Sequence, residues 1–199
     1  MANSNVAKGL TPVKHINGSP WNGQTHMYLI PSSDGTATFV GDLVKLAGSA
    51  GAAGTVVAGQ DVEGMPTIAQ SAAGNTHVGV VVGFLPDPTN LSKLYRAASE
   101  NRIALVVDDP TVVFEAQEDS VGGALAAANV GNNVEVIVGS GSTTTGVSAA
   151  QLDSSTAATT NTLSLRILRL AKHPDNSIGT NAKYEVMINL HQFLSTTGV

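Results

Sequence analysis

The sequence predicts a mainly β protein, a compact antiparallel β-barrel or sandwich with an extended N-terminal arm and few short helices. Valine-rich and leucine-rich runs alternate with clusters of Gly, Ser, Thr, Asn and Pro, a pattern typical of short strands joined by turns. No apolar periodicity of 3.6 residues persists over three helical turns. Hydrophobic residues make up 42 % of the 199 residues but aromatic residues only 4 %, so we expect a core of Val, Leu, Ile and Ala.

The first element, residues 1–25, is predicted to be an extended arm that precedes a single β-rich domain of residues 26–199. Proline and Asn-Gly pairs recur along it, and these residue types favour turns over regular structure. Its large apolar side chains are suited to docking on a neighbouring subunit, with a frayed terminus as the simpler alternative. Removing the arm is expected to leave the domain folded. The candidate interface residues in the arm are Leu10, Val13, Ile16 and Trp21.

Eight strands are predicted after the arm. The last has the clearest alternation of apolar and polar residues, which places His191 on the face away from the core. In the strand before it, the alternation loses phase between Ile167 and Leu168, which indicates a bulge, a strong twist or a strand buried on both faces. The predicted strands are His26–Ile30, Ala37–Leu46, Val78–Leu85, Ile103–Asp108, Thr111–Ala116, Val134–Val138, Leu163–Leu170 and Lys183–His191.

Helix is predicted only in short segments. Gly123–Asn129 and Ser148–Asp153 could each form one or two turns, and Leu91–Ser99 could be either a short helix or a strand. Residues 139–161 are poor in charge and rich in Ser, Thr and Gly, a composition typical of linkers. Because they lie between two good strands, we expect an ordered surface loop within the domain.

The stretch IALVVDDPTVVFEAQED, residues 103–119, decides whether an enzyme is expected, because five carboxylates fall within it. Asp109-Pro110 predicts a turn, so the runs on either side are expected to form a tight strand pair along which the acids need not converge. A Ca²⁺ loop would need alternating oxygen ligands and a glycine. A glycosidase pair stays open as an alternative, although aromatic sugar platforms are scarce. The carboxylates are Asp108, Asp109, Glu115, Glu118 and Asp119.

Other chemistry-bearing patterns are missing from the sequence. There is no cysteine, no HExxH and no GxSxG, so thiolate sites, zincin sites and nucleophile elbows are not indicated. The glycine-rich segment 48–54 lacks the Lys-Ser/Thr end of a P-loop and is interpreted as a hairpin tip. We therefore predict no catalytic residue, no metal site and no cofactor. The five histidines, each interpreted as a surface or hydrogen-bonded residue, are His15, His26, His77, His173 and His191.

Charge and hydropathy narrow the expected partners. The net charge is −5 and the ten Lys and Arg are scattered along the chain, which argues against nucleic-acid binding. Only 13 % of residues are charged, about half the usual share, so part of the surface is expected to be covered by protein. The N-terminus has no apolar signal core, and the longest apolar run, Val78 to Leu85, is too short to span a bilayer. We expect a soluble protein made in a cytoplasm.

Two segments, KGLTPVKHINGSPWNGQ and YLIPSSDGTATFVGDLVKL, resemble the opening of small structural proteins encoded beside the major capsid gene of tailed bacteriophages. The resemblance continues through VGVVVGFLPDPTNLSKLYRAAS and VDDPTVVFEAQED to HPDNSIGTNAKYEVMINLHQF, and so covers nearly the whole chain. It implies a capsid decoration, or cement, protein that binds the outside of the icosahedral shell and braces it. Such proteins are usually β-rich, and their arms often reach across to neighbours.

The partners that this resemblance implies are the major capsid protein and further copies of the chain, as a trimer or, alternatively, a dimer. Its implied location is the capsid exterior of the virion, after synthesis in the host bacterial cytoplasm, and its implied role is not enzymatic. Two other functions compete with it. One is a virion-surface or tail-associated module that binds host glycan through Trp21, Tyr28 or Tyr95, and the other is a hydrolase that uses the carboxylates of residues 108–119.

Overall fold

The computed structural model describes residues 3–199 and confirms a mainly β fold. Within this range there are thirteen strands and two 3₁₀ turns, Ala127–Asn129 and Gln192–Leu194, and no α-helix. None of the described helices is long and apolar enough to cross a membrane. The strands are β1 Thr11–His15, β2 His26–Ile30, β3 Leu43–Ala50, β4 Val56–Val57, β5 Gln60–Asp61, β6 Pro66–Gln70, β7 Gly79–Phe84, β8 Arg102–Val107, β9 Val112–Gln117, β10 Asn133–Ile137, β11 Gln151–Ala158, β12 Leu165–Leu170 and β13 Lys183–Ile188.

The first half of the chain forms a closed five-stranded barrel in the order β2-β6-β3-β7-β8. β2 and β6 pair in parallel, while the other neighbours pair antiparallel. The barrel interior is filled by β-branched and aliphatic side chains, which suit a pleated and buried surface. Closure leaves this barrel without a free strand edge.

The second half forms a six-stranded sheet in the order β1-β9-β13-β12-β10-β11. A parallel bridge between Glu118 and Leu152 links the end of β9 to β11, so five of the strands curl around a common core. Phe114, Tyr184 and Leu165 are fully buried in that core. β1 lies outside the curl, where it pairs only with β9 within the sheet.

The barrel and the sheet share one hydrophobic cluster. Leu43, Val80 and Val107 of the barrel strands pack in the same cluster as the core residues of the sheet. Side chains of the barrel strands thus pack on the sheet core, whereas the barrel interior forms a cluster of its own.

The N-terminal segment packs against its own chain, in contrast to the predicted separate arm, whose residues 1 and 2 lie outside the described residues. β1 is an edge strand of the sheet, and Leu10 is only 1 % exposed. Leu10 N donates to Gly41 O over 2.9 Å, and a Cβ on Gly9 would lie 2.4 Å from the same oxygen. The segment is not a separate arm because the apolar Leu10 side chain is buried in the core of its own chain.

The predicted pairing of the strands on either side of Asp109-Pro110 is wrong. The turn itself is present, because Thr111 N donates to Asp109 Oδ1 over 2.8 Å and Val112 N donates to Asp109 O over 3.1 Å. However, β8 before the turn belongs to the barrel, whereas β9 after it belongs to the sheet. The turn is thus a corner between the two halves.

Three further predictions, for β12, for residues 139–161 and for Leu91–Ser99, have different outcomes. The register shift between Ile167 and Arg169 confirms the irregularity predicted in β12. The loop predicted at 139–161 is wrong in its second part, because β11 occupies Gln151–Ala158, and this strand also replaces the helix predicted at Ser148–Asp153. Leu91–Ser99 contains turns and a single bridge, but neither a helix nor a strand.

Candidate docking surface

One face of the six-stranded sheet is polar and lies opposite the core, and we call it the outer face. It includes the alternate residues of β13 that the core does not take, Lys183, Glu185 and Met187. On neighbouring strands, Glu115 pairs with Glu185 and Arg169 pairs with Glu185 across the ladder, which places them on the same face. The alternation in β13 therefore confirms the two-faced strand that the sequence predicts.

Ion pairs tie the strands of the outer face together. Glu185 lies 2.8 Å from Lys14 Nζ and 3.2 Å from Arg169 Nε, so one carboxylate joins β1 and β12 to β13. Glu115 forms a second pair with His173 from the β12–β13 loop. Because these groups are partly exposed, each pair contributes little stability, on the order of 0.5 kcal/mol.

Cations that are scattered in the sequence are gathered here by the fold. Six of the ten Lys and Arg lie on the part of the outer face formed by β1, β9, β12 and β13 or on the segments that border it. Three of the fifteen carboxylates, Glu115, Asp175 and Glu185, lie with them, so this part has a formal charge of +3, while Glu135 and Asp153 lie on the same side of β10 and β11. The rest of the chain then holds four cations and twelve carboxylates, a formal charge of −8, and the total is the −5 of the whole chain. The six cations are Lys8, Lys14, Arg166, Arg169, Lys172 and Lys183.

A groove of about 310 Å³ runs between the N-terminal segment and this face. Val6 and Val13 contribute apolar side chains to its lining, while Lys8 and Lys183 contribute charge. The outer face is thus a mixed surface, with apolar and cationic groups side by side.

The edge of the sheet carries a short hairpin, residues 11–21, which we call the edge hairpin. Its turn is closed by the bond from Gly18 N to His15 O at 2.9 Å, and its limbs are joined by the bond from His15 N to Ser19 O at 2.8 Å. Val13 is 37 % exposed and Ile16 is 50 % exposed. The hairpin therefore holds two apolar side chains in fixed positions at the rim of the outer face.

Of the four predicted interface residues, two are exposed and two are packed against the chain itself. Val13 and Ile16 are available to a partner, as described above. Leu10 is not, because it is buried in the core of its own chain. Trp21 is half-buried against that core, and its Nε1 donates to Gln24 O over 3.4 Å.

The carboxylates of residues 108–119 serve separate local structures. Asp108 is buried and accepts from Tyr28 Oη over 2.7 Å and lies 2.8 Å from His26 Nδ1. Glu118 is fully buried and accepts from the backbone N of Leu125 over 2.9 Å. Asp109 holds the corner turn and Asp119 accepts from Ser154 Oγ over 2.9 Å. These bonds divide the acids instead of directing them at one point.

No metal cage is found in the part of the chain that the structure describes, since no group of three or more His, Asp or Glu side chains could hold an ion there. Two of the three aromatic residues considered for glycan binding are also engaged within the chain. Tyr28 is buried beside Asp108, and burial together with that carboxylate raises the pKa of its hydroxyl. Tyr95 stacks on Phe39 with ring centroids 5.1 Å apart.

Two buried histidines form a further polar cluster, and the sequence does not reveal it. His191 is predicted on the outer side of its strand, but β13 ends at Ile188 and the following residues turn onto the barrel, so His191 is 2 % exposed. His77 is fully buried beside it, and its backbone bonds to Leu190 O and Gln192 N at 2.8 and 2.7 Å. Neither ring nitrogen of His77 has a hydrogen-bond partner among the described residues.

The electrostatics of this pair follow from burial. Burial, followed by the charges of His191 and Lys45, lowers the pKa of His77 to about 4. Burial also lowers the pKa of His191, although Asp108 and Asp109 oppose that shift. The pair is neutral at pH 7 and joins the C-terminal segment to the barrel.

Comparisons with protein-family models, with curated proteins and with solved structures found no match to this chain. The outer face and the edge hairpin are therefore identified by the geometry and charge of this chain alone. Their exposed apolar groups and clustered cations make them a candidate docking surface.

Proposed function

We propose that this chain is a decoration, or cement, protein of a tailed bacteriophage. It binds the outside of the icosahedral capsid as a homo-oligomer, a trimer or a dimer, and stabilises the shell of the major capsid protein. The sequence resemblance supports the family, and one structural observation supports the mode of action. The edge hairpin presents Val13 and Ile16 from a rigid sheet, beside a face whose charge is opposite to that of the rest of the molecule.

The hairpin suits docking because its apolar side chains are exposed but already positioned. Because Val13 and Ile16 are already half or more buried, burying the remaining area of each against a partner contributes roughly 1 kcal/mol. The ordering cost is small, since backbone hydrogen bonds hold both limbs of the hairpin before binding. A single copy therefore needs only a modest contact with each capsid subunit.

Oligomerisation turns such modest contacts into firm attachment. When one copy of an oligomer is bound, the others meet their sites at a high effective concentration, and avidity can exceed the single-site affinity by roughly 10²–10⁴. The low share of charged residues, 13 %, favours a surface that is partly covered by such contacts. The division of the 108–119 carboxylates among local structures favours this binding role over hydrolysis.

The proposal is tested by sedimenting the protein with capsids that lack it and measuring the copies bound per major capsid protein. We expect saturable binding at a simple stoichiometric ratio. The double variant Val13→Asp/Ile16→Asp places two charges on the edge hairpin, and its affinity should fall about tenfold or more.

The matched control is Val121→Asp/Ile137→Asp, which changes the same residue types at exposed positions away from the hairpin. This control should bind like the wild type. Absence of wild-type binding would refute the decoration function, whereas equal binding by both double variants would refute the role of the hairpin.

A further inference from the structure

We infer that copies of this chain associate head to tail, with the basic outer face of one copy against an acidic end of the barrel of the next. The inference rests on the proposed homo-oligomer and names its contact surfaces. Each of the two surfaces holds charged side chains that have no partner of opposite charge among residues 3–199.

The outer face has unused positive charge. Lys14 and Arg169 share the carboxylate of Glu185, but the other four of the six cations form no ion pair within residues 3–199. Lys172 is exposed in the β12–β13 loop, and Lys8 is exposed at the rim of the groove. These side chains can reach a carboxylate on another molecule without breaking a bond in their own.

The opposite charge is found at one end of the barrel, which we call the acidic end. Asp61 and Glu63 are exposed on and beside the β4–β5 hairpin. The same hairpin provides Val57 to a pocket of about 230 Å³, and Asp87 and Glu100 line that pocket. Two carboxylates thus line the pocket, and two more lie on or beside the hairpin that borders it.

Positive charge offsets only part of this cluster. Lys93 pairs with Glu100, and no ion pair involving Asp61, Glu63 or Asp87 occurs in the described range. Arg102 lies beneath the pocket, 5 % exposed, and donates to backbone oxygens such as Lys93 O at 3.0 Å. Counting the four carboxylates against Lys93 and Arg102, the acidic end has a formal charge of −2, opposite in sign to the outer face.

The two surfaces cannot satisfy each other within one molecule. They belong to different halves of the fold, and none of the ion pairs between described residues joins them. A second copy is therefore a partner whose complementary charge is present in this structure. Exposed apolar residues accompany the charges on both sides, Val6 at the outer face and Val56 at the acidic end.

The pattern of charge favours a protein partner over nucleic acid. Carboxylates alternate with the cations on the outer face, whereas a nucleic-acid site is a basic patch or stripe that neutralises successive phosphates. A contact between two different surfaces is heterologous, and it closes into a ring when the rotation between copies permits. Such a ring agrees with the proposed trimer.

The experiment measures the oligomeric state of the purified full chain by analytical ultracentrifugation, without capsids. The wild type should associate at low salt and dissociate as added salt screens the charges. Two variants reverse the surfaces separately. Lys8→Glu/Lys172→Glu changes the outer face and takes the net charge from −5 to −9, and Glu63→Lys/Asp87→Asn changes the acidic end and takes it from −5 to −2.

Each variant alone should associate about tenfold more weakly than the wild type. Net charge acts as an internal control, because the variant at −2 would associate more strongly if overall repulsion governed assembly. An equimolar mixture of the two variants should recover association, since the intact outer face of one then meets the intact acidic end of the other. Circular dichroism checks that both variants are folded.

A wild type that stays monomeric at low salt would overturn the inference, as would loss of association in only one variant or no recovery in the mixture. Salt-sensitive binding of the wild type to double-stranded DNA, lost in Lys8→Glu/Lys172→Glu, would assign the outer face to phosphates instead. The decoration function is judged separately by the capsid sedimentation. Charge-dependent assembly without capsid binding would retain the contact and reject the function.

Discussion

At the scale of single residues, the buried histidine pair is the feature most sensitive to conditions. His77 is fully buried beside His191, with Lys45 of β3 contributing positive charge and Asp108 and Asp109 facing His191. The pKa of His77 falls from its ordinary value of 6.5 to about 4, so the folded protein binds fewer protons there than the unfolded chain between these values. Folding stability must then decrease as the pH falls through that window.

This shift predicts a pH-dependent loss of about 3 kcal/mol of unfolding free energy, present in full above pH 6.5 and lost as the pH approaches 4. His77→Gln keeps a neutral polar side chain and removes the titrating group. The difference in unfolding free energy between wild type and His77→Gln, measured by urea denaturation at pH 7, 5.5 and 4.5, should change in favour of the variant as the pH falls.

The comparison with the variant is needed because Asp42 acts in the opposite direction. Burial raises the pKa of that carboxyl, so its contribution to stability increases as the pH falls. Asp42 is present in both proteins and cancels in the difference. A difference that is equal at pH 7 and pH 4.5 would contradict the assignment to His77.

The sequence predicts the conformation of a residue well where neighbouring residues determine it. Asp109 and Pro110 form a turn because a proline and a side-chain oxygen act on neighbouring backbone groups. The burial of His191 depends on where β13 ends and on the segment just before β7, more than a hundred residues earlier in the chain. No local pattern contains that information.

At the scale of elements, the N-terminal segment is part of the fold as well as the bearer of the edge hairpin. Deleting residues 1–25 should lower Tm by about 10 °C, because the deletion removes the buried Leu10 and the β1 edge strand at a cost of several kcal/mol. Differential scanning calorimetry measures this. The shortened chain is still expected to fold, but with lower stability than the full chain.

The same calorimetry separates docking from folding. Val13→Asp/Ile16→Asp changes only exposed side chains of the segment, so its Tm should stay within about 2 °C of the wild type. If the deletion melts like the wild type, the packing of Leu10 contributes no stability and the segment is a detachable arm.

All eight predicted strands overlap observed ones, because Val-rich and Leu-rich runs are a direct signal of buried β structure. Five strands have no such signal. β11 contains one fully buried large side chain, Leu152, among Ser, Thr and Ala, and β4 and β5 have two residues each. Their pairing is decided by the neighbouring strands, which composition does not report.

At the scale of the whole molecule, the shared hydrophobic cluster predicts that the barrel and the sheet unfold together. Val80 of the barrel packs in the same cluster as the sheet core, so Val80→Ala should destabilise the entire chain by about 2 kcal/mol. The fluorescence of Trp21, the single tryptophan, reports on the sheet, whereas far-UV circular dichroism reports on both halves. Both signals should shift by the same amount in one transition.

Two transitions, or a Trp21 signal that Val80→Ala leaves unchanged, would show that the halves are independent domains. Val121→Ala, at an exposed position, is the matched control and should leave the transition in place.

The sequence predicts the fold class but not the topology or the docking surface. The separation of β8 and β9 into different halves depends on the contacts of all thirteen strands. The clustering of cations is similarly global, since Lys8 and Lys183 are far apart in the chain but line the same groove. For the predicted interface, the apolar character of Leu10, Val13 and Ile16 was visible, but only the fold distinguishes the buried residue from the two exposed ones.

The long-range bonds of the N-terminal segment have a consequence for biosynthesis. The segment leaves the ribosome before the residues that it contacts, since Val6 bonds to Gln117, β1 pairs with β9, and Asn3 donates to Ser177 O and Thr180 O. At translation rates of about 5–20 residues per second, roughly 5–20 s pass before the partner of β1 is even made. During that interval only earlier segments, such as the one around Gly41, can cover Leu10. The speed of elongation therefore sets how long the nascent chain lacks the full set of contacts that bury this residue.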